Sequence, residues 1–374
     1  MTIDTGFTYT FPAIRGRQAQ QEYFVAVVPL NFIPKIFLFD EEELPPKVRA
    51  QRNVNKARIP EIAQYILNNP KDYVFSAITA SIDGDMEFIA VDGEKRNNFP
   101  DIGKLNISMS ARFLINDGQH RRAGIERAMK ERPELGNENI AVVFFKDAGL
   151  KKCQQMFADL NRYAQKPTKS LSILYDYRDD LAELTRQVSE AVPAFIGMID
   201  TEKVSLAARN PKLFTLSSLY EANRSLTGDK NSLDSKDTEL AVDYWNVISE
   251  QIPDWELAKE RKILVKDLRK DTVHAHGVIL QALGVLGNYL LKENPDDYKN
   301  IMTKLSKVDW SRDNSQWEGL CMHGGRMSGT SQNVRLTSLY LRKILGLNVS
   351  KEELTDLKTT KREAVKDFIV SKVN

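Results

Sequence analysis

The run Asp117-Gly118-Gln119-His120-Arg121-Arg122 sets a carboxylate, a glycine, an imidazole and two guanidiniums side by side. Gly118 frees the backbone for close approach to a ligand. The amides after it point along the axis of any helix that begins there, and His120 with Arg121 adds side-chain donors at the same place. These are the ingredients of a phosphate cradle. It is not a Walker-type loop, because the chain contains no GxxxxGK[S/T] run. Spacing alone leaves a second reading open, in which Asp-Gly is an ordinary turn, His120 is satisfied in the core and the two arginines lie on the surface.

The elements around this run must position it. Arg112-Phe-Leu-Ile-Asn116 reads as a strand, Asp117-Gly118 as a turn, and Gln119–Glu131 as a helix burying Ile125, Ala128 and Met129. Upstream, Tyr23–Pro29 is a short strand rich in β-branched and aromatic residues, and Ile59–Leu67 is an amphipathic helix with Pro60 in its first turn. Val74–Ile82 and Met86–Val91 are predicted to form a hairpin across Asp83-Gly84-Asp85. Ile140–Phe145 is another strand, and Leu150, Cys153, Phe157 and Leu160 mark a helix ending near Asn161. This alternation predicts an α/β (α+β) domain over residues 1–165. After Pro167 the pattern turns helical, over 171–192, 213–226, 237–252, 272–292, 296–305 and 333–345, which predicts a mainly α-helical domain over residues 166–374.

With 42% hydrophobic and 28% charged residues, the 374-residue chain is a globular sequence rather than a disordered, collagenous or coiled-coil one. Its 53 Lys plus Arg against 51 Asp plus Glu leave a net charge of +2, so any contact with nucleic acid must come from local patches. Three windows are basic. Lys151–Tyr175 holds Lys151, Lys152, Arg162, Lys166 and Lys169 against Asp159, and Lys203–Arg224 holds Lys203, Arg209, Lys212 and Arg224 against Glu221. Gly319–Ser350 holds Arg326, Arg335, Arg342 and Lys343 with no acidic residue, and its glycines and hydroxyls lead into a helix. That last stretch reads either as a second phosphate loop or as a solvated loop before a capped helix, and window statistics favour the solvated loop.

Cys153 and Cys321 build no disulfide framework, the first residues carry no apolar signal segment, and no run of about 20 apolar residues is present. The expectation is a cytoplasmic protein without a membrane partner. His274 and His276, on one predicted helix, face different sides, and Cys321 with His323 has no further ligand nearby, so no metal site is expected. Tyr175, Tyr177, Trp310 and Trp317 are read as core or interface rather than base-stacking platforms.

Asp117-Gly118-Gln119-His120-Arg121 matches the signature of the DGQHR-domain family, and the chain resembles the DndB-type members found with DNA phosphorothioation (DNA sulfur modification) systems. Phe157-Ala-Asp-Leu-Asn161 with Gln165-Lys-Pro-Thr-Lys-Ser170, Ile199–Leu206, Leu213–Tyr220, and Trp310, Trp317, Gly319 and Gly325-Arg326 extend the likeness over most of the chain. The resemblance implies a DNA-binding repressor of the modification gene cluster, acting at the promoter of its own cluster. A looser likeness to the ParB and sulfiredoxin superfamily implies nucleotide binding at the turn, through Gly118, Gln119, His120, Arg121 and Arg122, with Asn161 facing the same cleft. ATP with Mg²⁺ would be the cofactor. Asp117, His120 and Arg121 would be catalytic if the site is a nucleotide hydrolase or phosphotransferase, which is the competing enzymatic reading. A nuclease is a less favoured variant, since no paired-carboxylate metal motif lies near the turn. Local charge nominates Arg209, Lys212, Arg326, Arg335 and Arg342 for DNA contact. A homodimer is the prior for a protein acting on palindromic sites.

Overall fold

The structure, a computed structural model, describes residues 7–37, 56–91, 101–146, 155–156, 158–160, 167–228, 230 and 232–360. The chain divides into two compact units, Met1–Gln165 and Lys166–Asn374.

The first unit is built on strands β1 (Thr8–Gln18), β2 (Gln21–Pro29), β3 (Ile78–Asp83), β4 (Met86–Ala90), β5 (Asp101–Ser108), β6 (Arg112–Asp117) and β7 (Asn139–Lys146). They form one mixed sheet in the order β4-β5-β1-β2-β7-β3-β6, in which β3 and β7 run parallel and the other neighbours antiparallel. Strand alternation sorts the side chains: Phe24, Ala26 and Val28 of β2 and Ile140, Val142 and Phe144 of β7 are buried on one face. There they meet helix α2 (Arg58–Asn68) through Ala63 and Ile66, and α3 (Gln119–Glu131) through Ile125 and Ala128; a short α1 (Ile33–Ile36) adds Ile33 and Ile36. Gly124 lets α2 and α3 cross closely, since a Cβ there would lie 2.3 Å from Ile62 Cγ2.

The hairpin expected across Asp83-Gly84-Asp85 does not form. β3 pairs with β6 and β7, β4 pairs with β5, and four strands stand between β3 and β4 in the sheet order. Yet only Gly84 and Asp85 join them, about 11 Å of chain at about 3.8 Å per step. In a flat sheet five strand spacings would hold them roughly 24 Å apart. The sheet therefore curls until β3 and β6 approach β4 and β5, and the short β5–β6 link crosses the same seam. The Asp-Gly signal marks a bend rather than a reversal: Asp83 pairs with Arg112 and Met86 with Ile107, so β3 runs on into β4 alongside β6 and β5 across the seam.

The second unit contains α4 (Lys169–Tyr175), α5 (Asp180–Ala191), α6 (Leu216–Thr227), α7 (Ser235–Gln251), α8 (Asp254–Lys259), α9 (Val265–Asp271), α10 (Gly277–Glu293), α11 (Tyr298–Met302) and α12 (Ser331–Ile344). Two small ladders accompany them: β8 (Ile199–Asp200) parallel to β9 (Phe214–Thr215), and β10 (Met322–His323) antiparallel to β11 (Arg326–Met327). Trp245, Trp255 and Trp317 are fully buried at the centre. The single helix expected over 171–192 is two helices, because Asp179 caps α5 by accepting from Leu181 N at 2.9 Å.

The helix expected from Thr272 starts at Gly277, so His274 and His276 precede it. His274 is buried, with Nδ1 accepting from Trp255 Nε1 at 3.2 Å and Nε2 3.1 Å from Asp254 Oδ2. An indole only donates, so the imidazole proton sits on Nε2 and is given to Asp254. Trp310 and Trp317 stack at 5.4 Å. Tyr175 and Tyr177, expected in core or interface, are 68% and 77% exposed, so they are not core residues. Among the described residues no helix is long and apolar enough to cross a membrane, and no group of three His, Cys, Asp or Glu is placed to hold a metal.

Candidate functional site

The DGQHR run sits where β6 passes into α3. Ala80 pairs with Ile115 and Thr79 with Asp117, so Asn116 is an extra residue in β6, a bulge that re-aims the end of the strand. Gly118 follows with φ +104°, a backbone conformation that side chains other than glycine's rarely adopt, and a Cβ there would lie 3.0 Å from Ile78 Cγ1 and 3.1 Å from Arg121 Nη2. α3 then begins, Arg122 N donating to Gly118 O at 2.9 Å. No side chain caps Gly118, and the first amides of a helix have no partner within it. The helix start therefore presents donors and the positive end of its dipole.

The two arginines are used differently from the expectation. Arg121 Nη2 donates to Asp117 Oδ2 at 2.8 Å and to the Ala77 carbonyl at 3.1 Å, while its Nε is buried without a hydrogen-bond partner. Asp117 and Arg121, expected as catalytic groups, are thus spent on each other and hold the turn against β3. Arg122, expected on phosphate, is buried; its Nε donates to Phe37 O at 3.1 Å and its Nη1 lies 2.8 Å from Glu126 Oε2. Neither arginine is the surface residue of the alternative reading. Gln119 is half-buried, its Nε2 3.4 Å from Ile115 O.

His120 is half-buried, and burial, followed by the nearby guanidiniums of Arg58 and Arg121, holds its pKa below the usual imidazole value against the opposing pull of Asp117. Arg58, at the start of α2, is a cation of this site that the local sequence around residue 118 does not show. Asn161 lies outside the described residues.

The cations nominated for DNA are in the second unit. Arg209 and Arg326 are exposed and form no ion pair among the described residues. Lys212 donates through Nζ to Gly197 O at 2.7 Å. Arg335 pairs with Asp356. Arg342 lies 3.8 Å above the Tyr289 ring, 3.2 Å from Glu353 and on the Asn348 carbonyl, with only 13% of its side chain exposed. It is a structural cation, and its expected DNA contact is withdrawn because the guanidinium is already stacked and paired.

Two arginines absent from the expectation organise the exposed ones. Buried Arg269 donates to the carbonyls of Ala207, Ala208, Asn210 and Lys212, clamping the loop that carries Arg209. Arg312 donates to the Arg269 carbonyl at 3.2 Å and to the Gly325 carbonyl at 2.8 Å, tying the hairpin that carries Arg326 to the same node. The glycine turn between β10 and β11 holds an anion of its own: buried Glu318 accepts from the amides of Gly324 and Gly325. At the start of α12, Thr330 accepts from Asn333 N at 3.2 Å. The 319–333 stretch is therefore an internally bonded, partly buried loop before a capped helix, rather than the solvated loop that window statistics favoured.

These features define a two-unit mixed α/β protein in which a curled sheet presents a glycine-opened helix start and a helical unit carries clamped, exposed arginines. The family model described as DndB, DNA-sulfur modification-associated, matches residues 11–348, and the chain belongs to that family. No curated protein and no solved structure matches the chain.

Proposed function

We propose that the protein is a double-stranded-DNA-binding transcriptional repressor of a DNA sulfur modification gene cluster, acting at its own promoter as a homodimer in the cytoplasm. The first unit is read as a ParB/sulfiredoxin-like domain and the second as the DNA-contacting one. The observation that carries this reading is the Arg269–Arg312 node, which holds Arg209 and Arg326 exposed on two loops anchored to one point. Such cations set the position of a protein on the phosphate backbone, and base edges supply sequence preference. The test is a gel shift with the cluster's own promoter against random DNA over a salt series. Preferential binding that weakens steeply with salt is expected; equal and salt-insensitive binding would falsify the repressor reading.

The turn at Gly118 supports a second element, a nucleotide that modulates repression. An uncapped helix start, a glycine at positive φ, and His120 and Arg58 beside it suit an anion. The amides after Gly118, with His120 and Arg58, would hold the phosphates of ATP. Because Asp117 is engaged by Arg121, Mg²⁺ would be held by the nucleotide itself, supplying neutralisation of phosphate charge. Only differential affinity for free and DNA-bound protein lets such a ligand switch repression, so the same gel shift is run with and without ATP and Mg²⁺. The enzymatic alternative, hydrolysis at this turn, is tested by labelled ATP turnover in wild type and His120→Ala.

A further inference from the structure

The outer face of the first unit's sheet carries a cavity of about 480 Å³, within the range of small-molecule sites. Its wall is made by Thr79 and Ser81 of β3 and by Val143 and Phe145 of β7, which alternation turns away from the buried core. Gln18 and Gln21, at the β1–β2 turn, close one end with Lys146. Residues 155, 156 and 158–160, which are helical, supply Gln155, Met156 and Asp159 opposite, Gln155 Nε2 donating to Asp159 Oδ1 at 2.7 Å.

The cavity adjoins the DGQHR turn by sheet register. Thr79 stands directly across the ladder from Asp117, and cross-strand partners share a face at roughly one strand spacing, about 5 Å. The bulge residue Asn116 links the two. It is fully buried, its Nδ2 donates to Ser81 Oγ at 2.7 Å and lies 3.3 Å from Met156 Sδ, and its Oδ1 has no hydrogen-bond partner. Both groups it touches line the cavity, so the residue immediately before the turn braces the cavity wall.

We infer that this cavity binds a nucleobase. An aromatic ring, a thioether and a branched aliphatic side chain, from Phe145, Met156 and Val143, suit the faces of a flat heterocycle. Carboxamides and hydroxyls, from Gln18, Gln21, Gln155 and Thr79, suit its hydrogen-bonding edge, the pairing by which amide side chains read bases. The lining has one cation, Lys146, beside one carboxylate, Asp159, so it is no anion funnel. Because Thr79 of the cavity wall pairs with Asp117, a nucleotide whose base lies here would direct its phosphates toward the Gly118 turn. This placement rests on the nucleotide part of the reading above, whereas the cavity's own chemistry does not. The base comes either from a free nucleotide or from an unstacked nucleotide of DNA.

The test is calorimetric titration of the full chain with adenosine, guanosine, cytidine and thymidine, which carry no phosphate and so bypass the turn. At least one is expected to bind wild type, to bind at least tenfold more weakly to Val143→Trp, which fills the cavity, and several-fold more weakly to Thr79→Val. Binding of none up to low millimolar, or unchanged binding in Val143→Trp, overturns the inference. Should Val143→Trp fail to fold, the methyl signal of Met156 in the wild-type chain decides: a saturable shift with nucleoside supports the site, and no shift overturns it. The source is distinguished with promoter DNA containing 2-aminopurine. A fluorescence rise lost in Thr79→Val assigns the base to DNA, and nucleoside binding without that rise assigns it to a free nucleotide. A promoter that fails to shift in the gel removes the repressor reading and leaves the nucleoside titration unaffected.

Discussion

Arg121 Nη2 lies 2.8 Å from Asp117 Oδ2 across the glycine that separates β6 from α3, and the same nitrogen reaches the Ala77 carbonyl at 3.1 Å. One guanidinium thus joins the end of β6, the first turn of α3 and the chain entering β3. The side chain is 19% exposed, which leaves little of it for a ligand. Arg121 is a positioning residue, and the amides that follow Gly118, with His120 beside them, are the groups proposed to meet an anion.

Arg121→Ala is therefore expected to lower stability by about 1–3 kcal/mol, the range for hydrogen bonds to a charged group. His120→Ala is expected to change stability by less than about 0.5 kcal/mol, as for a site away from the core packing, while weakening ATP binding. Urea denaturation and nucleotide titration of both variants separate the roles. Equal stability loss in the two would remove the distinction.

In the second unit, Arg209→Ala and Arg326→Ala are each expected to weaken promoter binding and to reduce the slope of log affinity against log salt by about 1, the signature of one lost phosphate contact. Arg342→Ala should instead lower thermal stability, because it removes the stack on Tyr289 and the pairing with Glu353, and should leave the salt slope unchanged. Salt-series binding isotherms with melting curves check all three.

What the sequence shows of this protein depends on range. The β6–turn–α3 unit is legible because strand alternation, Asp-Gly and an amphipathic helix are all local signals, and the helix Gln119–Glu131 is observed with those bounds. β1 and β5 are not legible: Pro12, Gly16 and Gly103 interrupt their patterns, and pairing on both sides makes them strands anyway. The charge windows mislead for the same reason. Gly319–Ser350 has no acid of its own, yet Arg335 and Arg342 find Asp356 and Glu353 just beyond it, and Glu221 neutralises both Lys169 and Arg224. Arg269 and Arg312 carry no local mark, since their partners are main-chain carbonyls brought in by the fold. A buried arginine that binds carbonyls looks like any other arginine in sequence.

His276 gives a pH dependence. Burial, with the charges of Arg312 and Arg269, pushes its pKa down to about 4, against an opposing bond to the Arg269 carbonyl at 3.0 Å. The unfolded chain takes up this proton near pH 6.5 and the folded one only near 4. The contribution is complete above about 6.5, falls as pH drops through that window, and is flat below it, with a ceiling of about 3 kcal/mol. His276→Gln keeps a donor for the Arg269 carbonyl and cannot titrate. The difference in unfolding free energy between wild type and this variant should therefore shrink from pH 7 to pH 4, and a constant difference would contradict the assignment.

Glu318 and the glycine turn supply the last expectation. The carboxylate is buried and accepts from the amides of Gly324 and Gly325, while Arg312 holds the Gly325 carbonyl from its other side, so the turn is gripped through both of its polar groups. Glu318→Ala leaves two amides without their acceptor and should destabilise the chain by about 2–3 kcal/mol. Glu318→Gln retains one acceptor oxygen and should lose about half as much. Because Arg326 follows Gly325 directly, loosening the turn also releases the cation from its anchored position. Promoter affinity is then expected to fall in Glu318→Ala with a smaller loss in Glu318→Gln, although neither substitution removes a positive charge. Gel shifts at fixed salt on protein shown folded by near-ultraviolet circular dichroism make the comparison. Unchanged affinity in Glu318→Ala would mean that Arg326 does not need the grip of this turn to reach DNA.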